Sequence, residues 1–470
     1  MGRRPLRISV AGRGRLVALL AGGLAVLVGI VVAFGATRDP EIAATSAGRP
    51  NVIFIVTDDQ RADGTLGVMP ETTKWFQREG THFVNAHTTT PLCCPARASI
   101  LTGRYTHNHQ ALTNELGAAS DFDHATTIQR YLQEVDYVTG LFGKYLTSEP
   151  VEDAPPFFDR WSLMRFGYRD VDFNVQGDLR EVADYSTNFI ERQAIDFLRE
   201  TEENDGQPWF AYVAVNAPHR PFLPEPRFAD ADVRAFESDP ATEERDLSDK
   251  PPAVSNADIA LDFEKIRSDQ LRTLMSVDEL VGAVFETLGE LDEIDSTLAI
   301  FISDNGFFWG EHGLTDKRSP YSPSVRVPLF VRWPGHFQKG GVDRRLAANL
   351  DLLPTVLDAL GIDPAHEVDG RSLLDRWDRK FLFSEYFKDP GYELPSWAAL
   401  SNDRLRYVRY YRRNRVIFEE YYDLRADPFE VDNLLAPGTP ESNRPRLDPL
   451  IGVLEAARRC HGVNGVAACP

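Results

Sequence analysis

A chain of 470 residues has room for about three domains of ~150 residues, and 43% hydrophobic with 26% charged side chains excludes a disordered or fibrous polymer. The formal charge of −20 excludes nucleic acid as a partner. It also gives no long-range attraction for a polyanionic substrate, so any recognition of an anion has to be local.

The first fifteen residues carry Arg3, Arg4, Arg7, Arg13 and Arg15 with no acid, ahead of an uncharged apolar run from Leu16 to Ala36. Twenty-one such residues are enough to span a bilayer, so 1–37 is expected to be an arginine-rich cytoplasmic end plus a signal-anchor segment at 16–36. The remainder is then extracytoplasmic, attached to the membrane by that segment or secreted after its cleavage. Without those five arginines, 46 basic side chains face 71 acids, a formal −25. A linker covers 38–49.

Val52 to Val56, Tyr137 to Phe142, Trp209 to Val215 and Leu298 to Ile302 are short, near-continuous apolar runs, as strands buried on both faces require. Between the last two, Leu274, Val277, Leu280, Val281, Val284, Phe285, Leu288 and Leu291 form a helical stripe. Alternating strands and helices predict an α/β fold with a mostly parallel central sheet over 50–375. Two Pro- and acid-rich stretches, Glu149 to Glu181 and Phe222 to Asp262, read as long excursions that either shape a pocket or are solvated loops. Residues 376–470 form a C-terminal subdomain and tail in which Tyr407 to Arg413 and Val416 to Tyr422 pair as antiparallel strands. Their arginine and tyrosine density suits a glycan-contacting face or an alternating solvated sheet. Cys460 and Cys469 are expected to pair outside the cytoplasm.

Each predicted central strand runs into polar residues: Asp58-Asp59, Gly143-Lys144, Asn216-Ala-Pro-His219 and Asp304-Asn305-Gly306. Ligands of open parallel sheets bind at those ends. Asp58, Asp59, Asp304 and Asn305 supply hard oxygen donors that suit calcium or magnesium, with Cys93 beside them. A helix is predicted to start at Cys93 and stop at Gly103. Its free N–H groups and Arg97 are expected to lower the thiol pKa and to hold an oxyanion, unless Cys93 and Cys94 are simply small core residues.

The segment Cys93-Cys-Pro-Ala-Arg-Ala-Ser-Ile-Leu-Thr-Gly-Arg104 resembles the signature of the type I, formylglycine-dependent sulfatases of the alkaline-phosphatase-like superfamily. Tyr105-Thr-His-Asn-His109, Gly143-Lys-Tyr-Leu146 and Met275-Ser-Val-Asp-Glu279 are most similar to the N-acetylglucosamine-6-sulfatase and heparan-6-sulfatase branch. The likeness runs from Asn51 to about Leu374 and, more thinly, through Tyr422 to Pro428 and Asn433-Leu434. It implies an alkaline-phosphatase-like sheet flanked by helices, with a small C-terminal antiparallel sheet.

The resemblance further implies that a separate formylglycine-generating enzyme oxidises Cys93, whose hydrated aldehyde attacks sulfur with one hydroxyl and expels sulfate with the other. Asp58, Asp59, Cys93, Asp304 and Asn305 would bind the cation. Asp304 would take the attacking proton, His219 or Lys317 would protonate the leaving alcohol, and Lys144, Arg97 and Lys317 would meet the sulfuryl charge. His312, in Gly310-Glu-His-Gly313, and Arg318 would line the substrate pocket. Many arylsulfatases have a histidine where this chain has Leu146, so His107 or His109 is expected to replace it or to bind substrate. The implied activity is hydrolysis of a sulfated carbohydrate, such as 6-O-sulfated N-acetylglucosamine. A phosphodiester or phosphonate monoester hydrolase and a non-catalytic glycan-binding module are the competing functions.

Overall fold

Strict alternation builds the central layer. Along the strand Asn51–Thr57, Val52, Phe54 and Val56 face one side and Ile53 and Ile55 the other, and all are fully buried. The computed structural model describes residues 48–203, 207–256, 262–465 and 467–470. The arginine-rich end and the apolar run 16–36 lie outside the described residues, and among those described no helix is long and apolar enough to cross a membrane.

The four predicted strands are present as Asn51–Thr57, Val138–Gly143, Trp209–Ala214 and Thr297–Ser303. They lie side by side and parallel, in the order Thr297–Ser303, Asn51–Thr57, Trp209–Ala214, Val138–Gly143, with Arg160–Met164 next. The sheet is parallel in its middle and mixed at its flanks, where Leu329–Arg332 and Val171–Val175 pair antiparallel; with Thr81–Phe83, Gly341–Asp343 and Asp178–Val182 beyond them the sheet has ten strands.

The excursion expected over 149–181 is a correction: it supplies the strands Arg160–Met164, Val171–Val175 and Asp178–Val182. Gln176 and Gly177, at φ 52° and 91°, close the last two as a two-residue hairpin, and neither their charge nor their prolines prevented pairing at a sheet edge. The stretch after Phe222 is largely irregular as expected, and 257–261 lie outside the described residues.

Helices cover both faces. Cys93–Thr102 and Leu352–Ala359 pack on the side of Val52 and Phe54; Ser186–Glu203 and the long helix Phe263–Glu290 pack on the side of Ile53 and Ile55. The predicted stripe is the buried face of that long helix from Leu274 to Leu288, where each large side chain contributes about 1.5–3 kcal/mol on burial.

Leu382–Tyr386, Ser396–Ser401, Leu405–Arg412 and Arg415–Asp423 form the expected antiparallel C-terminal sheet. It grips the segment that follows Lys317. Trp397 Nε1 donates to the Arg318 carbonyl at 2.7 Å, and Arg406 donates to the Pro320 carbonyl. The buried Glu420 carboxylate accepts from the hydroxyls of Tyr321, Tyr410 and Tyr422 at 2.7–2.8 Å. A Glu420→Leu variant strands three buried hydroxyls and is expected to lose about 3–5 kcal/mol in urea unfolding. A loss below about 1 kcal/mol would refute that role. Cys460 and Cys469 are disulfide-bonded, as expected.

Candidate active site

Because the four central strands run parallel, their carboxyl ends open on one edge, and their polar successors meet there. Asp58 and Asp59 follow Asn51–Thr57, Asp304 and Asn305 follow Thr297–Ser303, and Lys144 follows Val138–Gly143. All five are buried. Gly143, at φ 109°, has no alternative: a Cβ would sit 2.0 Å from the Ala214 carbonyl, which accepts the Lys144 N–H at 2.8 Å. Asp59, at φ 71°, occupies the left-handed region that Asp tolerates better than most residues.

The helix Cys93–Thr102 starts at the thiol and ends on Gly103 at φ 65°, as predicted. Its expected anion hole is a correction. The Cys94 N–H donates to Asn114 Oδ1 at 2.8 Å, Pro95 has no N–H, and the Ala96 N–H donates to the Leu92 carbonyl. Arg97, fully buried, spends its guanidinium on Asp304 Oδ2 at 2.8 Å, the Lys144 carbonyl at 2.9 Å and Asp58 Oδ2 at 3.4 Å. It neutralises carboxylates and faces no open space. The thiol moves opposite to expectation: burial, then the Asp58 charge, push Cys93 up to about 12 against the pull of Lys144 and Lys317. At neutral pH the unmodified residue is a protonated thiol and a poor nucleophile.

Cys93 Sγ lies 3.4 Å from Asp58 Oδ1 and 2.9 Å from Lys317 Nζ, which also bonds Asp59. Lys144 Nζ bonds Asp58. Asn305 Nδ2 donates to Asp59 Oδ1 at 2.6 Å, and Asp304 Oδ1 accepts from the Asp59 N–H at 3.3 Å. Ligand atoms of Asp58, Asp59, Cys93 and His219 fall within 4.8 Å of one another. Three carboxylates converge, and Asn305 Oδ1 is buried with no hydrogen-bond partner. An unmet carbonyl oxygen among hard anionic donors fits calcium or magnesium. Burial alone would raise Asp58, yet Lys144, His219, Arg97 and Lys317 outweigh it and hold Asp58 well below the carboxylate range. Burial and the Asp58 charge lift Asp304 to about 6.

A cavity of about 340 Å³ opens over this cluster, lined by Lys317, Arg318, His219, Asn114, Asp389 and Tyr392 among others. His219 Nε2 is 3.6 Å from Asp59 Oδ2, and Phe166 meets its ring edge-on at 4.8 Å. Arg318 reaches the cavity as predicted, its guanidinium stacked 3.6 Å from the Tyr392 ring centroid and paired with Asp389 and Asp316. Asn114, Asp389 and Tyr392 were missed. Asp389-Pro390-Gly391 reads only as a turn, and nothing local in the sequence says that the C-terminal subdomain walls this pocket.

His107, His109 and His312 do not reach the cavity, which corrects their reading as substrate contacts or as the substitute for Leu146. His107 binds Glu385 and the Cys460 carbonyl. His109 is wedged between Ser99 Oγ at 3.1 Å and the Ala111 N–H. His312 is wholly buried against Glu244 at 2.6 Å. Burial, with Arg104 and His107 adding to it, holds His109 near 3. With its folded value below the unfolded ~6.5, the unfolded chain binds the extra proton. Stability is therefore full above about pH 6.5 and is lost as pH falls, by about 2–3 kcal/mol at pH 4.5 from this group. Tm measured against pH should flatten in His109→Gln over that window; an unchanged slope would refute the assignment.

A sulfatase family model matches residues 50–362, and an N-sulphoglucosamine sulphohydrolase C-terminal model matches 310–447. An extracellular sulfatase (SULF-1 homolog) of Drosophila melanogaster is 34% identical over 366 residues, 71% of this chain and 33% of its own. This chain thus spans about a third of that protein's length. Human N-acetylglucosamine-6-sulfatase is 32% identical over 370 residues, 70% of this chain and 65% of its own. Among solved structures, a protein in complex with its substrate D-glucosamine-2-N,6-O-disulfate superposes with a TM-score of 0.75 at 24% identity, covering 87% of this chain and 97% of the other. A phosphonate monoester hydrolase of Agrobacterium radiobacter does so at 0.70 and 24%, covering 87% and 96%. Those two likenesses bear on fold alone. The match to well over half of the sequence, joined to relatives above 30% identity, establishes that the chain belongs to the sulfatase family.

Proposed function

We propose that this protein is an extracytoplasmic sulfuric ester hydrolase acting on a sulfated carbohydrate, with residue 93 oxidised to Cα-formylglycine by a separate generating enzyme. The carrying observation is the gathering of Asp58, Asp59, His219 and Lys317 about Cys93, with the buried, unmet Asn305 oxygen bonded through its amide to Asp59, below a polar cavity lined by Lys317 and His219. A thiol held near 12 is unfit for attack, and that favours a residue remade before use. When present, the hydrated aldehyde supplies one hydroxyl to attack sulfur and a second to expel sulfate, and a calcium or magnesium ion supplies positive charge beside the sulfuryl oxygens.

The chain's own side chains do the rest. Asp58, Asp59, Asp304 and Asn305 hold the cation. Arg97 keeps Asp58 and Asp304 in place. Lys144 and Lys317 stay cationic, since burial, the largest effect, is outweighed by their carboxylate neighbours, Asp58 beside Lys144 and Asp59 with Asp58 beside Lys317, which raise both above the ordinary lysine value. They meet the charge that grows on the sulfuryl oxygens. His219 or Lys317, both lining the cavity, brings the proton for the leaving alcohol.

The relatives' names favour a 6-O-sulfated glucosamine unit as substrate, and the extracellular ones favour an exported protein, attached through 16–36 or released from it. Sulfate, phosphate and phosphonate esters of one chromogenic alcohol provide the test. The sulfate ester should show the highest kcat/KM, and a higher value on phosphorus would defeat the proposal. Mass spectrometry of the peptide containing residue 93 should find the aldehyde; a free thiol together with no hydrolysis would favour the glycan-binding module.

A further inference from the structure

The arginine- and tyrosine-rich run Tyr407 to Val416 is only partly used by the fold. Tyr407 and Tyr410 are buried, Arg406 pairs with Glu430, and Arg409 pairs with Glu419 and Glu455. Arg412, Arg413 and Arg415 remain. All three are exposed and none of their guanidinium groups has a hydrogen-bond or ion-pair partner among the described residues. They form the tip of the hairpin joining Leu405–Arg412 to Arg415–Asp423, with Arg412 directly opposite Arg415. Three like charges are held together there at a cost in self-repulsion. The turn residues Arg413 and Asn414 lie at φ 48° and 63°, a two-residue geometry suited to Asn and Gly, and arginine stands in the first position nonetheless.

Topology ties this tip to the active site. Ser396 pairs with Tyr411, so the segment 387–395, which enters the strand Ser396–Ser401, leaves the sheet at the same end as the arginine tip. One side of that segment, through Asp389, Pro390 and Tyr392, walls the catalytic cavity. Its other side, through Glu393 and Pro395, lines a groove of about 620 Å³ shared with Arg412, Ile417 and Phe418. Lys388, exposed and unpaired at its side chain, adds a cation on segment 387–395, while Glu393 is an acid that lines the groove.

We propose that Arg412, Arg413 and Arg415 form an exosite for an extended polyanionic glycan, holding a chain whose sulfated unit enters the cavity on the far side of segment 387–395. The proposal rests on the sulfated-carbohydrate reading above and adds to it that the preferred substrate is a polymer longer than the cavity. In a protein of formal charge −20, three unpaired guanidiniums at one tip supply the local attraction that the molecule as a whole lacks.

The test compares the full-length protein with the triple variant Arg412→Ala, Arg413→Ala, Arg415→Ala, three exposed positions outside the catalytic cavity, and with the corresponding triple lysine variant. Elution from immobilised heparin should need less NaCl for the alanine variant, with the lysine variant between it and the parent. KM for a heparin-derived octasaccharide should rise about tenfold, on the order of three exposed ion pairs, with kcat unchanged and kcat/KM for a small chromogenic sulfate unaltered. Heparin retention equal in parent and alanine variant overturns the exosite. So does a loss of binding to phosphatidylserine vesicles with heparin retention intact, which would assign the tip to a membrane surface. The heparin arm needs no catalysis, so a parent that hydrolyses no sulfate ester but loses heparin retention on substitution would defeat the functional reading and leave the exosite standing.

Discussion

Cys93→Ala is expected to lower kcat by about 10⁴-fold or more, with a stability change of about 1 kcal/mol or less. The size follows from what the residue touches. Its Sγ is 2.9 Å from Lys317 Nζ and 3.4 Å from Asp58 Oδ1, and Asp59 and His219 offer ligand atoms within 4.8 Å, so cation and carboxylates bear directly on that one position. Removing the side chain leaves the electrostatic surroundings without the atom they serve. Cys93→Ser sharpens the test: a single hydroxyl at the same place is able to attack but not to expel sulfate, so at most one equivalent of alcohol per chain should appear, with sulfate retained on the protein by intact mass. Cys94 is the control. Its thiol contacts Ser148 Oγ at 2.9 Å and packs in the core, so Cys94→Ala should keep kcat within about threefold. Sustained turnover by Cys93→Ala would end the proposal.

Chelation of divalent cations should abolish turnover, and adding calcium back should raise Tm by roughly 5 °C at a hundredfold excess over Kd, where linkage gives about 2.7 kcal/mol. The stabilisation has a physical source in Asp58, Asp59 and Asp304, three buried carboxylates answered by Arg97, Lys144 and Lys317, with the Asn305 carbonyl unanswered. A hard dication satisfies that oxygen and takes over part of the lysines' work. Asn305→Ala should retain its fold and lose most of the calcium-dependent rise in Tm. Identical Tm values with chelator and with calcium, at full activity, would show that no cation is held there.

The four central strands and the long helix were legible because burial on both faces of a parallel sheet leaves continuous apolar runs, and a helix packed on it leaves a stripe at i+3 and i+4. Asp58, Asp59, Lys144, His219, Asp304 and Asn305 were legible because they stand directly after such runs. The three strands between 160 and 182 were not, since an edge strand such as Asp178–Val182 exposes most of its side chains and so keeps a polar sequence.

The sequence by itself determined the order of strands and helices, the placing of polar residues at strand ends, and the start of a helix at Cys93, because each depends on spacing along the chain. Only the tertiary structure decided which way those side chains turn. Arg97 was drawn to Asp304 and Asp58 and away from an anion hole, because buried carboxylates more than 200 and nearly 40 residues away compete for its guanidinium. His107, His109 and His312 were each claimed by a neighbour remote from the cavity. Asp389 and Tyr392 were brought to the catalytic wall by a sheet that follows the catalytic layer in the chain. Pairings across such separations depend on packing and desolvation, which no local run of residues encodes.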